Sequence, residues 1–176
     1  MGTIHIRNVR LTDRKGVRDL TLRAYAEYAG LMPSLHWKYY RENIVETLDG
    51  DELAERILAE RDGRIVGSVF LYPAGRVLSA SDDEVFVALW PEARLLAVDP
   101  EARGQGIGAA LMGECAKRAR RAGSRFLVLH TNDLMRAAIH LYEKLGFERF
   151  PEADYVVDEK TTIKAYRIEL SKEKQG

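Results

Sequence analysis

Apolar positions recur along the chain with two different periods, and the switches between them mark out the elements. Residues 4–9 alternate, with Ile4 and Ile6 and then Val9 after a slip, and read as a first strand. Asp13 is placed to N-cap a helix that carries Val17, Leu20 and Ala24 on one face. After the break at 30–33 a second helix is expected over 34–48. Strand-like runs follow at 53–60 and Arg64–Tyr72, joined by Asp62-Gly63, a strong hairpin signal. The segment 73–84 reads as a loop, and 93–98 as a short apolar strand ended by Asp99-Pro100.

The helical period returns over 107–122, where Ile107, Leu111, Cys115 and Ala119 form the stripe to be buried and Lys117, Arg118, Arg120 and Arg121 fall mostly outside it. A buried-type strand is expected at 125–130. Leu134, Ala138, Leu141 and Leu145 then mark a helix stopped by Gly146, followed by a short strand at 147–150 and a longer one at 161–170. Early hairpin strands followed by alternating strands and helices predict an α/β chain: one domain over 1–176, with a mixed sheet and helices on both faces.

Composition narrows the function. A length of 176 residues with 46% hydrophobic and 31% charged positions is ordinary for one well-cored globular domain. Lys plus Arg equals Asp plus Glu at 27 each, so there is no general attraction to nucleic acid or to an anionic membrane. The basic run from Lys117 to Arg121 reads as the solvated side of an amphipathic helix. Nowhere do 18 apolar residues run together, and residues 1–10 show no signal-peptide pattern. With Cys115 as the only cysteine, a cytoplasmic location is the default expectation. His5, His36, His140 and Cys115 have no metal-ligand spacing, so no metal is expected.

The most informative stretch is Arg103-Gly104-Gln105-Gly106-Ile107-Gly108, a glycine-rich turn between a strand and a helix. First-turn N–H groups lack intrahelical partners and the helix dipole adds partial positive charge, so such a turn is built for an anion. The glycines permit positive φ and close approach by a bulky ligand, and Arg103 adds a charge suited to phosphate oxygens. A dinucleotide reading of Gly104, Gly106 and Ala109 is weaker. Residues 99–103 separate the strand from the first glycine, and no acid stands at the right distance. A Walker loop is excluded because no Gly-Lys-Ser/Thr follows.

The run from Leu95 to Gly108, with its Val98-Asp99-Pro100 approach, closely resembles the central motif of the GNAT acyltransferase superfamily: an Arg/Gln-x-x-Gly-x-Gly/Ala turn after a strand ending in Val-x-Pro. A second match follows at the family's spacing, Tyr142-Glu143-Lys144-Leu145-Gly146-Phe147. The resemblance implies the acyl-CoA N-acyltransferase fold, in which the strands at 93–98 and 125–130 splay apart and acetyl-CoA lies between them. It implies that pantetheine pairs with the backbone of Leu96, Ala97 and Val98 like an added strand. It places the pyrophosphate on backbone N–H groups within Gly104, Gln105, Gly106, Ile107, Gly108 and Ala109, and an oxyanion-hole role on the N–H of Leu96.

Transfer of an acetyl group to an amine poses two proton problems. An alkyl ammonium of pKa about 10.4 is only about one part in 10³ free base near pH 7, a deficit of roughly 4–5 kcal/mol. The departing thiolate needs an acid. By the resemblance that acid is Tyr142, and Glu92, at the start of the central strand, stands where some histone-modifying members keep a base. Many members carry Asn seven residues before the tyrosine, and here that residue is Met135. Asn132 is the alternative cofactor contact, with N-capping as its competing role. His130, at a strand end, reads as a hydrogen-bonded side chain rather than a base. The expected activity is N-acetyl transfer from acetyl-CoA to a primary amine, first a small metabolite and second a protein N-terminus or Lys. The rival is a non-catalytic acyl-CoA-binding sensor or scaffold. Family habit points to a homodimer.

Overall fold

The computed structural model describes residues 2–50, 53–81 and 84–171. Its contacts divide the chain into two compact units, Met1–Phe70 with Leu95–Glu114, and Leu71–Arg94 with Cys115–Gly176.

The first unit holds β1 (His5–Asn8), α1 (Arg14–Tyr25), α2 (Ser34–Gly50), β2 (Glu55–Arg61) and most of β3 (Arg64–Tyr72). Strand β1 lies antiparallel on β2, from His5↔Glu60 to Asn8↔Ile57, and β2 neighbours β3. The turn between β2 and β3 puts Asp62 at φ 52° and Gly63 at φ 73°. Two left-handed residues are what a twisted two-residue hairpin turn needs, as Asp-Gly predicts.

Asp13 stands at the N-cap of α1 as expected, but without a capping bond from its side chain. It ends a 3-10 turn, Leu11–Asp13, and its side chain makes no cap hydrogen bond to that helix. The carboxylate instead accepts from the Arg7 guanidinium at 2.6 Å and from the Arg10 N–H at 2.8 Å, which together hold it down to about 2. Arg7 also donates to Glu60 at 2.6 Å, tying the helix entrance to β2.

Helix α1 buries Val17, Leu20, Thr21 and Ala24, and Leu20 and Ala24 pack on Ala97. Gly67 on β3 permits close packing against the next helix. A Cβ there would stand 2.7 Å from Ile107 and 2.9 Å from Leu111, closer than side chains tolerate.

Two elements are shared. Strand β6 (Glu92–Val98) follows β4 (Val77–Ser81) and β5 (Glu84–Val87), and its last four residues belong to the first unit, where it neighbours β3. Helix α3 (Ile107–Arg121) starts in the first unit and ends in the second. Its predicted stripe is fully buried, with Ile107, Leu111, Cys115 and Ala119 at no more than 1% exposure.

The second unit continues with β7 (Phe126–Thr131), α4 (Arg136–Lys144), β8 (Glu148–Arg149), β9 (Tyr155–Asp158) and β10 (Thr161–Glu169). Strand β6 pairs with β7 in parallel at Glu92↔Val128 and Ala93↔Leu129. Strand β7 runs antiparallel to β10 from Thr131↔Lys164 to Phe126↔Glu169, and β8 and β9 both add to β10. The mixture of parallel and antiparallel ladders is the mixed sheet expected. The segment read as a loop at 73–84 instead contains β4 and part of the β4–β5 hairpin, with Val77 opposite Val87. Helix α4 begins two residues after Leu134, which is 40% exposed.

Candidate active site

The glycine turn takes the form that anion binding needs. Gly104 has φ 73° and Gly106 φ 79°, and a Cβ on either would meet nothing within 4 Å, so the space above this backbone is open. The positive φ makes side chains here strained, and the open space lets a bulky group reach the main chain. The first helical bond of α3 runs from the Ala110 N–H to the Gly106 carbonyl at 2.9 Å. The N–H groups of Ile107, Gly108 and Ala109 therefore have no acceptor within the helix, which is the anion-binding arrangement.

Helix α1 and the turn after it fasten this segment from behind. Arg23 donates to the buried Asp99 carboxylate at 2.8 Å, and Asp99 also accepts from the Glu101 N–H at 3.1 Å. The Tyr25 hydroxyl donates to the Leu96 carbonyl at 3.1 Å. Arg103 donates to Glu27 at 2.6 Å and to the Ala24 carbonyl at 3.2 Å. So Arg103, expected to reach for phosphate, has a protein partner, although both members of that ion pair are about 40% exposed. The Gln105 side chain accepts from Arg61, leaving its backbone as the part offered to a ligand. Leu95, just before this stretch, holds φ 52°, a left-handed value rare for a leucine within a strand. Leu96, Ala97, Val98, Arg103, Gly104, Gln105, Gly106, Ile107, Gly108 and Ala109 thus all belong to the first unit.

Tyr142, Glu92 and Asn132 belong to the second. Local sequence explains how Tyr142 is held. Helix α4 ends with the Phe147 N–H donating to the Tyr142 carbonyl at 3.0 Å and the Gly146 N–H donating to the Glu143 carbonyl at 3.0 Å, with Gly146 at φ 92°. These are the two bonds of a Schellman cap, which also brings the residue after the glycine against the last turn. Accordingly the Phe147 and Tyr142 rings sit 5.9 Å apart, and both residues are buried. The Tyr-x-x-x-Gly-Phe spacing thus encodes a helix end that fixes the tyrosine ring. Asn132 accepts from the Leu134 N–H at 3.0 Å, closing a turn ahead of α4, whereas Met135 occupies the cap position itself.

Glu92 is not a free carboxylate. One oxygen accepts from Arg76 at 2.7 Å, and the other lies 2.7 Å from His130 Nδ1. His130 Nε2 lies 3.1 Å from the Ala153 carbonyl. Two acceptors facing two ring nitrogens suit the imidazolium, which donates from both. All three side chains are partly buried, at 13% exposure for Glu92, 9% for Arg76 and 21% for His130.

Burial pushes the Glu92 carboxyl up, but the His130 hydrogen bond and charge, with Arg94 and Arg76, more than cancel it, so it sits below its ordinary range. For His130 burial pulls downward and the Glu92 hydrogen bond and charge prevail, so it is raised. A depressed carboxylate with both oxygens engaged is a weak proton acceptor, so the expected base is built as an anchor. The sequence offered no signal for Arg76, in a segment read as loop, nor for the joining of Glu92 to His130 across 38 residues. Among the described residues no group of three His, Cys, Asp or Glu side chains is placed to hold a metal ion, and no helix is long and apolar enough to cross a membrane.

Residues 17–147 match the model of the Acetyltransferase (GNAT) family. A mycothiol acetyltransferase of Cellulomonas flavigena is 33% identical over 95 residues, 53% of this chain and 26% of that protein. A camello-type N-acetyltransferase of Xenopus tropicalis is 27% identical over 128 residues, 71% of this chain and 52% of that protein. The chain therefore spans only about a quarter to a half of the length of these curated relatives. A GNAT family acetyltransferase from Brucella melitensis, solved with acetyl-CoA, superposes with a TM-score of 0.63 at 23% identity, over 97% of this chain and 90% of that one. By fold, by motif and by family match over most of its length, this chain belongs to the GNAT acetyltransferase family.

Proposed function

We propose that the protein transfers an acetyl group from acetyl-CoA directly to a primary amine on a small molecule, with a peptide N-terminus or Lys as the second acceptor class. The observation that carries the reading is the open glycine cradle at the start of α3, where Gly104 and Gly106 leave main-chain donors accessible. Acetyl-CoA supplies an activated thioester.

The N–H groups of Ile107, Gly108 and Ala109 hold its diphosphate, and Leu96, Ala97 and Val98 offer main chain to its pantetheine arm. Tyr142 carries the proton for the departing sulfur. A phenol near 10 and a thiol near 8.5 differ by only about 2 kcal/mol, so a hydroxyl held by a rigid helix end can serve. Glu92 keeps Arg76 and His130 charged and in place, and the amine loses its proton to water.

The test is release of CoA across a panel of amines, together with thermal shift. Acetyl-CoA raises the melting temperature and NAD(P) does not, and at least one amine drives CoA release. No shift with any CoA ester overturns the cofactor assignment, and binding without any turnover turns the protein into a sensor. Tyr142→Phe lowers kcat about 100-fold or more while acetyl-CoA binding stays within a few-fold. Unchanged kcat removes Tyr142 from the mechanism.

A further inference from the structure

The Glu92 cluster carries more positive charge than its own carboxylate can balance. Glu92 faces Arg76 and His130 directly. Arg94 lies two residues along β6, on the same face as Glu92, because strand side chains alternate. Its guanidinium stands 5.3 Å from the centre of the Tyr72 ring, and that of Arg76 stands 4.4 Å from the same ring. Asp154, which feels the His130 charge, is taken by Arg149 at 2.6 Å. Among the described residues Arg94 makes no ion pair: it acts on Glu92 by charge alone, and both Glu92 oxygens already serve two other cations.

A half-buried guanidinium over an aromatic face, beside a second guanidinium and an imidazole, is an arrangement that lacks an anion. Cations withdrawn from water and left unbalanced are unfavourable, and among the described residues this third charge makes no ion pair. The planar fork of Arg matches the two oxygens of a carboxylate. The position is informative too. Arg94 immediately precedes the left-handed Leu95, and the stretch assigned above to pantetheine begins only at Leu96. Arg94 therefore stands outside the segment given to the cofactor, on the strand end that carries Glu92.

We propose that Arg94, held over Tyr72 beside Arg76, binds a carboxylate of the acceptor, so that the amine acetylated belongs to an amino acid or an amino-acid-like metabolite. This rests on the acetyltransferase reading and names the substrate class of that same site. Glu92 then has a second use: its two oxygens hold Arg76 and His130, and the Arg94 guanidinium is the one that meets the substrate. An amine without a carboxylate leaves Arg94 unmatched and is the poorer acceptor.

The test compares each standard amino acid with its carboxamide and its decarboxylated amine in the CoA-release assay. At least one free acid is expected to exceed its carboxamide about 10- to 100-fold in kcat/KM, the worth of a charge-assisted hydrogen bond. Arg94→Met keeps the apolar stem over Tyr72 and removes the charge. It is expected to raise KM for the acid by that factor, with a much smaller change in kcat, and Arg94→Lys restores part of the loss. The inference is overturned if carboxamides and simple amines match the acids, or if the preference survives Arg94→Met.

A second readout needs no turnover. Calorimetric binding of N-acetyl amino acids to the CoA-saturated protein is expected to exceed that of their amides and to weaken in Arg94→Met. Carboxylate-dependent binding without any acetyl transfer would sink the transferase reading and leave the subsite standing. Acetyl transfer without carboxylate dependence would do the reverse.

Discussion

The turn proposed for the cofactor in the first unit presents backbone, whereas the cluster in the second presents charged side chains. At Gly104 and Gly106 the donors are main-chain N–H groups, shaped by two positive φ angles and a helix start within a few residues of each other. At Glu92 the working parts come from Arg76, Arg94 and His130, on three separate segments, and they must be buried together before any of them has its final charge. A backbone site costs the fold little, because its donors exist in every helix start. A side-chain cluster is bound up with stability, because removing one charge strands the others in a region that water reaches poorly.

The contrast is sharpest at the cluster's centre. Glu92→Gln keeps the shape and removes the charge that, among the described residues, pairs with Arg76 and His130. It is expected to destabilise the protein by about 3–5 kcal/mol in denaturant titration, with the His130 pKa falling in an NMR titration. A loss below about 1 kcal/mol, the range of surface pairs, would show the cluster to be decoration and erase the distinction.

At the cradle the effect should fall on binding instead. Gly106→Val puts a branched residue at φ 79°, where its Cβ meets nothing within 4 Å, so the expected cost is the backbone strain of roughly 1–2 kcal/mol. Acetyl-CoA affinity is expected to fall about 100-fold, the loss of a pair of charge-assisted hydrogen bonds, as read by calorimetry. Undiminished binding would move the phosphate site elsewhere.

A smaller effect follows from pH. His130 is raised above its ordinary 6.5, so its contribution to stability is complete below that value and is lost as pH rises through its folded value. Glu92 is lowered below 4.5, so its contribution is complete above that value and is lost as pH falls through its folded value. The pair therefore stabilises fully between those two ordinary values and declines on either side. Glu92→Gln should flatten the alkaline decline, and a decline that persists would point to another group.

Smallest of all, Arg103→Ala breaks an exposed pair with Glu27 and should cost no more than about 1 kcal/mol of stability. A larger loss would mean that even the cradle depends on its side chains.

Much of the first unit was legible because its signals are local. Asp62-Gly63 gave a turn with both residues left-handed, and the 107–119 stripe gave a fully buried helix face. The Tyr142 to Phe147 motif also proved to be local physics, a Schellman cap whose ring contact holds the tyrosine. Local rules failed where a distant partner competed. Asp13 has the composition of an N-cap, but Arg7 and Arg10 take its carboxylate. The 73–84 segment looks like a loop by its flanking Pro73 and Gly75, yet Val77 finds Val87 and makes a hairpin.

By itself the amino-acid sequence determined the order of elements, the turn that can receive a phosphate and the helix end that carries Tyr142. Each of these depends on residues within about one or two helical turns, where backbone geometry and spacing decide the outcome. Only the tertiary structure decided that Glu92 is an anchored carboxylate, that Arg103 leans on Glu27, and that Arg94 stands over Tyr72 with no ion pair among the described residues. The charge and use of a side chain depend on which groups fold brings within a few ångströms, and the pattern along the chain does not contain that distance.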